Sequence, residues 1–310
     1  MPLLSRQRLF CAKVEETLGT PEAIDNTCGV MNVVEMSRTP NSTYTPIPAQ
    51  NGLGMRKGVA GARMGTMEVM HYLVGNGATG LPYVADLLKG CGGAFSAQVF
   101  GPVVDNGVGL TTMLFKGSGS SSRAYKMAGA MGNCVMTFKA GEIVPCRFTF
   151  TGKVYAAATQ TLPTVTHPTI TPPRFAGGTF TIGGTAYQID QLEFDMGNQV
   201  IMREDPTDTS GSGFISAWIT NRQPVVRISP EALPLATKDW DDFFYNSTTA
   251  ALSLVVGTAS NNTMTLAAPA LQLTKPPSDG DRNGIYTDVL EFSCNQSGDT
   301  EDNEYTLTFA

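Results

Sequence analysis

The sequence predicts a mainly β protein with two tandem β-sandwich or barrel domains, each with one short helix, plus long loops and an N-terminal arm. Short segments alternate apolar and polar residues with the period of two that is typical of half-buried strands. The order strand, long loop, strand, short helix, run of strands occurs twice along the 310 residues. A Thr- and Pro-rich segment separates the two occurrences. These observations divide the chain into an arm (1–25), a first domain (26–155), a linker (156–175) and a second domain (176–310).

The elements of the first half follow from local composition. The arm shows little periodicity and leads into a predicted strand, "GVMNVVEMSR" at 29–38. Residues 39–60 are rich in Pro, Gly and polar residues and therefore predict a long loop. "GLPYVADLLKGCGG" at 80–93 predicts a short helix, because Pro lies near its start and Gly follows its end. The remaining predictions are strands at 62–74 and 107–117, a loop at 120–132 and a hairpin at 132–155.

The second half repeats this order of elements. Its strands begin around a Gly-Gly turn in "TFTIGGTAYQIDQLEFDMG", and residues 203–214 predict a long acidic loop with the tip "TSGSG". "TKDWDDFFYNST" predicts a short helix that Thr237 would cap. The linker before this half is dense in Pro, which favours extended backbone and lacks the N–H for sheet pairing. Further strands are predicted at 223–233, 250–258, 262–275, 284–295 and 303–310.

Alternation within the strands predicts which face of each sheet is buried. In "YQIDQLEFDMG" the apolar side chains of Leu192, Phe194 and Met196 point away from Gln191, Glu193 and Asp195. Three other strands follow the same rule, with one apolar set in each: Cys146, Phe148 and Phe150; Leu290, Phe292 and Cys294; Tyr305, Leu307 and Phe309. The opposite faces carry hydroxyls and carboxylates, including Glu291 and Glu304, so these sheets are expected to have one buried and one solvated face.

Charge is divided unequally between the two halves. The chain has a net charge of −6, but residues 1–155 hold 14 Lys and Arg against 9 Asp and Glu, and residues 156–310 hold 7 against 18. The first half is therefore basic and the second acidic. Halves of opposite sign can attract each other within one chain or between neighbouring chains. Independent drift of two surfaces would give the same numbers.

The sequence offers little equipment for catalysis, so we expect no enzyme, no cofactor and no metal. A catalytic triad would depend on His71 or His167, the two histidines of the chain. Phosphate-binding loops, the G-x-S-x-G nucleophile motif and H-E-x-x-H are absent. Acidic stretches at 203–211, 278–284 and 297–304 do not match the spacing of a calcium-binding loop. A basic patch interleaved with aromatic residues, which would grip nucleic acid, is also missing.

The remaining composition bears on compartment. The longest apolar runs fall short of a membrane span, and the N-terminus lacks the apolar core of a secretory signal, which predicts synthesis in the cytoplasm without membrane insertion. The six cysteines are widely spaced and are expected to be free, buried thiols. A disulfide between Cys134 and Cys146, across the predicted hairpin, is the alternative.

At this point the chain resembles the tail tube (major tail) proteins of long-tailed bacteriophages. "AKVEETLGTPEAIDNTCGVMNVV" is similar to the family's N-terminal arm, and "LPYVADLLKGCG" to its short helix. "YKMAGAMGNCVMTFKAGEIVPCRFTFTGKVY" is similar to the family's signature hairpin. Three stretches of the second half, "TFTIGG", "FDMGNQVIMRED" and "GDRNGIYTDVLEFSCN", also resemble tail tube segments. The resemblance covers nearly the whole chain and rests on the order of these segments.

The resemblance implies a structural protein of the virion. In the family each tube domain is a β-sandwich with one helix, six domains form a ring whose sheets join around a lumen, and rings stack into the tube that conducts DNA during ejection. A chain with two tube domains would form a pseudo-sixfold trimer. The implied partners are further copies of the chain, a tape-measure protein, a tail terminator and tail-tip or baseplate proteins. Assembly in the cytoplasm of the bacterial host and transient, non-specific passage of DNA are implied as well.

Two sets of residues are expected to serve this role. Glu193, Asp195 and Glu291 lie on solvated strand faces, and we hypothesise that they give a negative lumen that repels phosphate, since every phosphate contact would add affinity for DNA. Placement on the outer tail surface is the alternative. The loops 39–60 and 203–214 and the arm 1–25 are candidates for contacts between rings, or else face solvent. The loop candidates are Thr39, Pro40, Tyr44, Arg56, Lys57, Glu204, Asp205 and Asp208.

Three other interpretations stay open at this point. The second half could be an Ig-like decoration domain outside a ring of six chains, although Ig-like decorations do not repeat this order of elements. The chain could be a β-sandwich adhesion or carbohydrate-binding module, but such modules favour exposed aromatic residues and the chain has only two tryptophans. A hydrolase using His71 is the third.

Overall fold

The computed structural model describes residues 6–25, 28–30, 33–50, 52–75, 80–104, 107–117, 119–164 and 170–310. Short helices are α1 (Ala85–Lys89) and α2 (Trp240–Tyr245), with a 3₁₀ turn at Gly119–Ser121. The strands of the first half are β1 (Arg8–Val14), β2 (Gly29–Val30), β3 (Glu35–Pro48), β4 (Met55–Tyr72), β5 (Gly93–Ser96), β6 (Val99–Pro102), β7 (Leu110–Lys116), β8 (Ser122–Lys139), β9 (Pro145–Val154) and β10 (Ala158–Gln160).

The second half contributes eleven further strands to the described part of the chain. They are β11 (Phe180–Ile182), β12 (Thr185–Ala186), β13 (Ile189–Asp195), β14 (Asn198–Glu204), β15 (Phe214–Arg222), β16 (Val225–Pro230), β17 (Ala250–Val256), β18 (Met264–Leu273), β19 (Ser278–Arg282), β20 (Ile285–Asn295) and β21 (Thr306–Phe309). The mainly β fold with two short helices is thus confirmed. The domain boundaries themselves stay a prediction.

Several local predictions were wrong. The expected loop at 39–60 is the end of a long hairpin made by β3 and β4, and the expected loop at 120–132 belongs to β8. These segments pair because long-range register offers their backbone partners, a factor that composition does not report. The arm also contains a strand, since β1 pairs along its length with β7. Part of the linker pairs too, as β10 on β8, while residues 165–169 of the linker lie outside the described residues.

Both helices form where they were expected, one with a different cap. In α2 the carboxylate of Asp239 accepts a hydrogen bond from the Asp242 N–H at 2.9 Å, so Asp239 and not Thr237 is the N-cap. Trp240 and Phe243 are buried on the inner side of this helix, and both rings pack against Phe292 of β20. In the first half, α1 buries Ala85, Leu87 and Leu88. Each helix therefore covers the core of its own half.

Strand pairing repeats from one half to the other. In the first half the strands pair in the order β1, β7, β8, β9, β4, β3, and β10 adds to β8. In the second half β11, β17, β18, β20, β16 and β13 pair in the same order, and β21 adds to β18. The two halves are therefore structural repeats, as the order of elements indicates.

Register and irregularities repeat as well. On the β3–β4 hairpin, Ser42 faces Arg63, and a register shift follows before Tyr44 faces Ala60. In the second half Asn198 faces Arg222, and a shift follows before Val200 faces Ile219. Because the paired residues and this shift coincide, β13 with β14 corresponds to β3, and β15 with β16 corresponds to β4. A residue of one half can thus be matched to a residue of the other.

The two halves share one hydrophobic core and one sheet. Residues 191–195 of β13 pair antiparallel with residues 135–139 of β8, and β21 pairs with β6. Phe194 and Tyr305 are fully buried, and their rings meet edge to face with centroids 5.0 Å apart. We call the β8–β13 pairing the internal joint. Alternation along these strands is as predicted, except that Glu304 is buried, because its carboxylate binds Arg222 with Nη2 to Oε1 at 3.0 Å.

Candidate functional site

A continuous sheet of eight strands runs through both halves and presents one solvated face. The strands follow in the order β3, β4, β9, β8, β13, β16, β20, β19. Apolar side chains on one side fill the core, as the strand alternation requires. The opposite side, here called the wet face, carries Ser37, Glu68, Arg147, Thr149, Asn133, Thr137, Gln191, Glu193, Asp195, Arg227, Glu291 and Ser293.

Two of the three predicted lumen carboxylates flank one arginine on this face. Glu193, Arg227 and Glu291 lie directly opposite one another on three adjacent strands. Arg227 Nη1 lies 2.8 Å from Glu193 Oε1, and Arg227 Nε lies 3.0 Å from Glu291 Oε2. Lys275 Nζ is 3.5 Å from the same Glu291 oxygen. The hydrogen bond from Arg227 lowers the pKa of Glu291 below its usual range. This cluster is therefore charge-balanced.

Asp195, the third predicted carboxylate, shapes the backbone. Its Oδ1 accepts hydrogen bonds from Asn133 Nδ2 at 2.7 Å and from the Gly197 N–H at 2.9 Å. Gly197 has a φ of +64°, a conformation that favours glycine, and this turn directs the chain out of the sheet into β14. Asp195 therefore lies on the wet face as predicted, but its carboxylate is occupied by the turn.

The β14–β15 hairpin of the second half packs onto the first half. Asn198 Nδ2 donates to the carbonyls of Cys91 and Gly132, at 2.6 and 3.0 Å. Gly129 has a φ of +57°, and a Cβ built there would lie 2.9 Å from the Ser216 Cα. Backbone of β15 thus lies where a side chain at residue 129 would be. The hairpin is fixed against β8, which sequence reasoning missed, because glycines in the fitting surface give no hydrophobic signal.

The turn of this hairpin holds the acidic residues that were predicted to contact another ring. Asp208 points inward, toward Lys153 of β9 with 3.7 Å between Oδ1 and Nζ, and both side chains are buried. Asp205 accepts from Thr207 within the turn, and Glu204 is exposed at the end of β14. Burial opposes ionisation of Asp208, but hydrogen bonds from Ser210 and Ser212 outweigh it and hold its pKa below the usual range.

The remaining predicted contact residues lie on the β3–β4 hairpin. Thr39, Pro40, Tyr44, Arg56 and Lys57 are all exposed. We call residues 43–50 and 52–62 the tip. Several of its apolar side chains also face solvent: Tyr44 is 65% exposed, Met55 71% and Val59 58%, and Leu53 is fully exposed. Among the described residues no other hairpin exposes a comparable group of apolar side chains.

The continuous sheet ends in two unpaired edges. Within the described residues β3 pairs with β4 alone, and β19 pairs with β20 alone. Their outer edges present free backbone N–H and C=O groups, a feature that soluble proteins normally cover. The sequence predicted neither edge, because β19, "SDGDR", contains no apolar residue and gives no strand signal.

The groups considered for chemistry are dispersed or buried. His71 is buried in β4, and burial lowers its pKa, which favours the neutral imidazole. His167 lies outside the described residues. All six cysteines are free and buried, and Cys134 faces Phe148 in the hairpin rather than Cys146. Among residues that the structure describes, no group of His, Cys, Asp and Glu could hold a metal ion. Neither described helix has the length and apolar character to cross a bilayer.

A sequence profile of a family described as phage tail tube protein matches residues 11–295, which include the continuous sheet and both free edges. Comparison with curated proteins gives no match.

Proposed function

The chain belongs to the phage tail tube protein family and has a structural role in the virion tail, and on this premise we propose that three copies close into a ring and that rings stack into a tube. The internal joint carries the proposal. There, β13 of the second half pairs with β8 and so extends the sheet of the first half. The counterparts of these two paired segments in the other repeat are β3 and β19, and each of them has a free edge. A contact between copies can therefore repeat a contact that already exists within the chain.

The counterparts define which strands would meet. The first part of β3 corresponds to β13. β19 corresponds to the end of β8. Val135 of β8 faces Arg147 of β9, Ser278 of β19 faces Val289 of β20, and these two pairs occupy matching positions in the two repeats. The free edge of β3 would then pair antiparallel with the free edge of β19 of the neighbouring copy. Such pairing would cover the edge of β19 and residues 35–39 of β3 and would close the continuous sheet into a ring.

The register follows from the same correspondence. Gln191 faces Lys139 and Asp195 faces Val135 at the internal joint. The matching residues are Glu35 with Arg282 and Thr39 with Ser278 of the neighbouring copy. This register also places Arg38 opposite Asp279, so two pairs of opposite charge would form along one edge. The contact joins the basic first half of one copy to the acidic second half of the next.

A ring of three chains is favoured over the alternatives by this repetition. Each chain supplies two repeats and one internal joint, so three chains give six repeats and six like joints. An Ig-like decoration domain would not share the strand pairing of the first half. The two tryptophans do not form the exposed aromatic surface that an adhesion or carbohydrate-binding module would favour, because Trp240 is buried and Trp218 is covered in part by Arg203, whose Cζ lies 5.3 Å from the ring centroid.

Engineered disulfides test ring closure and register together. In the Thr39→Cys, Ser278→Cys variant, we expect oxidation to give covalent trimers on a denaturing gel, because opposed residues of antiparallel strands lie within disulfide reach. Thr137→Cys with Glu193→Cys is the matched control, since these residues already face each other in the internal joint and would link within one chain. Ser37→Cys with Ser278→Cys, displaced by two residues, should link poorly. Covalent hexamers would refute the proposal. It would also be refuted if the Thr39→Cys, Ser278→Cys variant formed no disulfide while the Thr137→Cys, Glu193→Cys control did.

The wet face would line the lumen through which DNA passes. Two of its cations are paired with carboxylates: Arg227 binds Glu193 and Glu291, and Lys139 binds Glu142. DNA affinity grows with each phosphate that a free cation contacts, so paired cations would let DNA slide. The predicted negative lumen thus becomes a lumen of paired charges. The tape-measure protein inside, terminator and tip proteins at the ends, and assembly in the host cytoplasm belong to the same proposal.

Phage particles test the role of these pairs. Glu193→Gln with Glu291→Gln removes both carboxylates that bind Arg227, and we expect tubes of normal length but slower DNA ejection. Ser37→Ala, elsewhere on the wet face, is the control because it changes no charge. Ejection at the wild-type rate from particles that carry the double substitution would contradict placement of this face in the lumen.

A further inference from the structure

We infer that the tip of the β3–β4 hairpin docks on the second half of the neighbouring copy in the same ring, as the β14–β15 hairpin docks on the first half within one chain. The inference rests on the proposed function, because it requires the ring. The tip would thus make contacts within a ring, whereas the sequence predicts contacts between rings for the loop 39–60.

The apolar side chains of the tip face solvent, as expected for a hairpin whose docking partner is absent. Its counterpart in the second half is β14–β15, whose residues Phe214 and Ala217 are buried against the first half. The matching residues of the tip are Met55 and Gly58. Met55 is 71% exposed where Phe214 is 8% exposed. The same kind of hairpin therefore occurs twice: β14–β15 is packed against the other half of the chain, and β3–β4 is exposed to solvent.

The receiving surface also has its counterpart. Gly129 of β8, against which Ser216 packs, corresponds to Ala270 of β18, because the pair Leu110 with Ala130 matches the pair Ala250 with Leu271. Ala270 is also small, but it carries the Cβ that Gly129 lacks, so backbone of an incoming hairpin would lie farther from β18 than β15 lies from Gly129. In the ring, Lys57 of the tip would occupy the position that Ser216 holds within the chain.

Charge favours this occupant. In the internal contact an acidic turn meets a basic strand, with Asp208 against Lys153. In the contact between copies the signs are reversed. The tip carries Arg56 and Lys57, and the loop after β20, which occupies the position that follows Lys153 in the first half, carries Asp299 and Glu301. All four of these side chains are exposed. The tip of one copy therefore matches the second half of another copy in sign.

Substitutions in the tip test the inference, since they lie on exposed residues and leave the core unchanged. We expect Met55→Asp with Val59→Asp to raise the concentration at which rings form by about tenfold or more, because two apolar side chains would no longer be buried. Tyr245→Asp is the control: this residue of α2 is 73% exposed and lies outside both hairpins. Sedimentation of the purified full chain would measure monomers and rings, and electron microscopy would count stacked tubes.

A charge exchange tests the choice of partner. Arg56→Glu with Lys57→Glu should weaken ring formation, and adding Asp299→Lys with Glu301→Lys to the same chain should restore it. Rings that form normally from the tip variants but fail to stack would overturn the inference in favour of contacts between rings. Normal rings and tubes would overturn it as well. The Thr39→Cys, Ser278→Cys variant separates failure of the proposed ring from failure of this inference. If it gives no covalent trimer, the proposed ring is wrong. If it gives the covalent trimer and the tip variants still form normal rings, only the docking of the tip is wrong.

Discussion

Replacement of Asp208 by Ala tests how firmly the acidic turn is bound to the first half. The Asp208 carboxylate accepts from Ser212 N at 2.8 Å, Ser212 Oγ at 2.6 Å and Ser210 Oγ at 2.5 Å. It is also the ion-pair partner of Lys153. The sequence predicts that this residue lies in a loop that contacts another ring or faces solvent. The structure instead places its side chain in an internal contact, so the substitution should destabilise the isolated monomer.

The magnitude follows from what the substitution leaves behind. Hydrogen bonds to a charged acceptor contribute roughly 1.5–3 kcal/mol each, and removal of one partner of a buried ion pair costs about 3–5 kcal/mol. These losses overlap, and water can enter beside a surface turn to solvate Lys153 and both serines. We therefore expect the free energy of unfolding to fall by about 2–4 kcal/mol, well below the sum of the separate losses.

Urea unfolding of the monomer, followed by fluorescence of Trp218 on β15, measures this change. Asp205→Ala is the matched control, because the hydrogen bonds of Asp205 stay within the exposed turn. The pKa of Asp208 is lowered in the folded state, so its contribution is complete above the unfolded value, about 4, and is lost as the pH falls through the folded value. The variant should therefore differ from wild type at pH 7 and converge with it in acid. A loss below about 1 kcal/mol at pH 7, equal to that of the control, would refute the reasoning.

Two further predictions concern the shared sheet. Phe194→Ala should lower the free energy of unfolding by about 3–5 kcal/mol, because it empties a fully buried site beside Tyr305; urea unfolding measures it, and a loss near 1 kcal/mol would contradict a common core. Arg222→Ala should cost about 3–5 kcal/mol, because it leaves buried Glu304 unpaired, whereas Arg227→Ala should cost less than about 1 kcal/mol on the exposed wet face. Equal losses for the two arginines, measured by calorimetry, would refute this ranking.

The predictions that succeeded rest on local, periodic signals. Alternation in "LEFDM" and "CRFTF" assigned the buried face of β13 and β9, because side-chain direction in a strand depends only on position along it. Pro and Gly at the two ends marked α1 for similarly local reasons. The order of elements revealed the repeat. The resemblance to tail tube proteins, which the family profile confirms, rested on the same order.

The predictions that failed depended on partners distant in the chain. Residues 39–60 and "SDGDR" pair as strands although their composition indicates loops, because a backbone hydrogen bond needs only a neighbour in register. The position of Asp208 depended likewise on a lysine that precedes it by more than fifty residues.

The sequence by itself therefore determined the fold class, the repeat and the solvated face, which are properties of local periodicity and order. Only the tertiary structure decided which edges stay free, which hairpin is covered and which carboxylates are already paired, because each depends on the register between strands of different repeats.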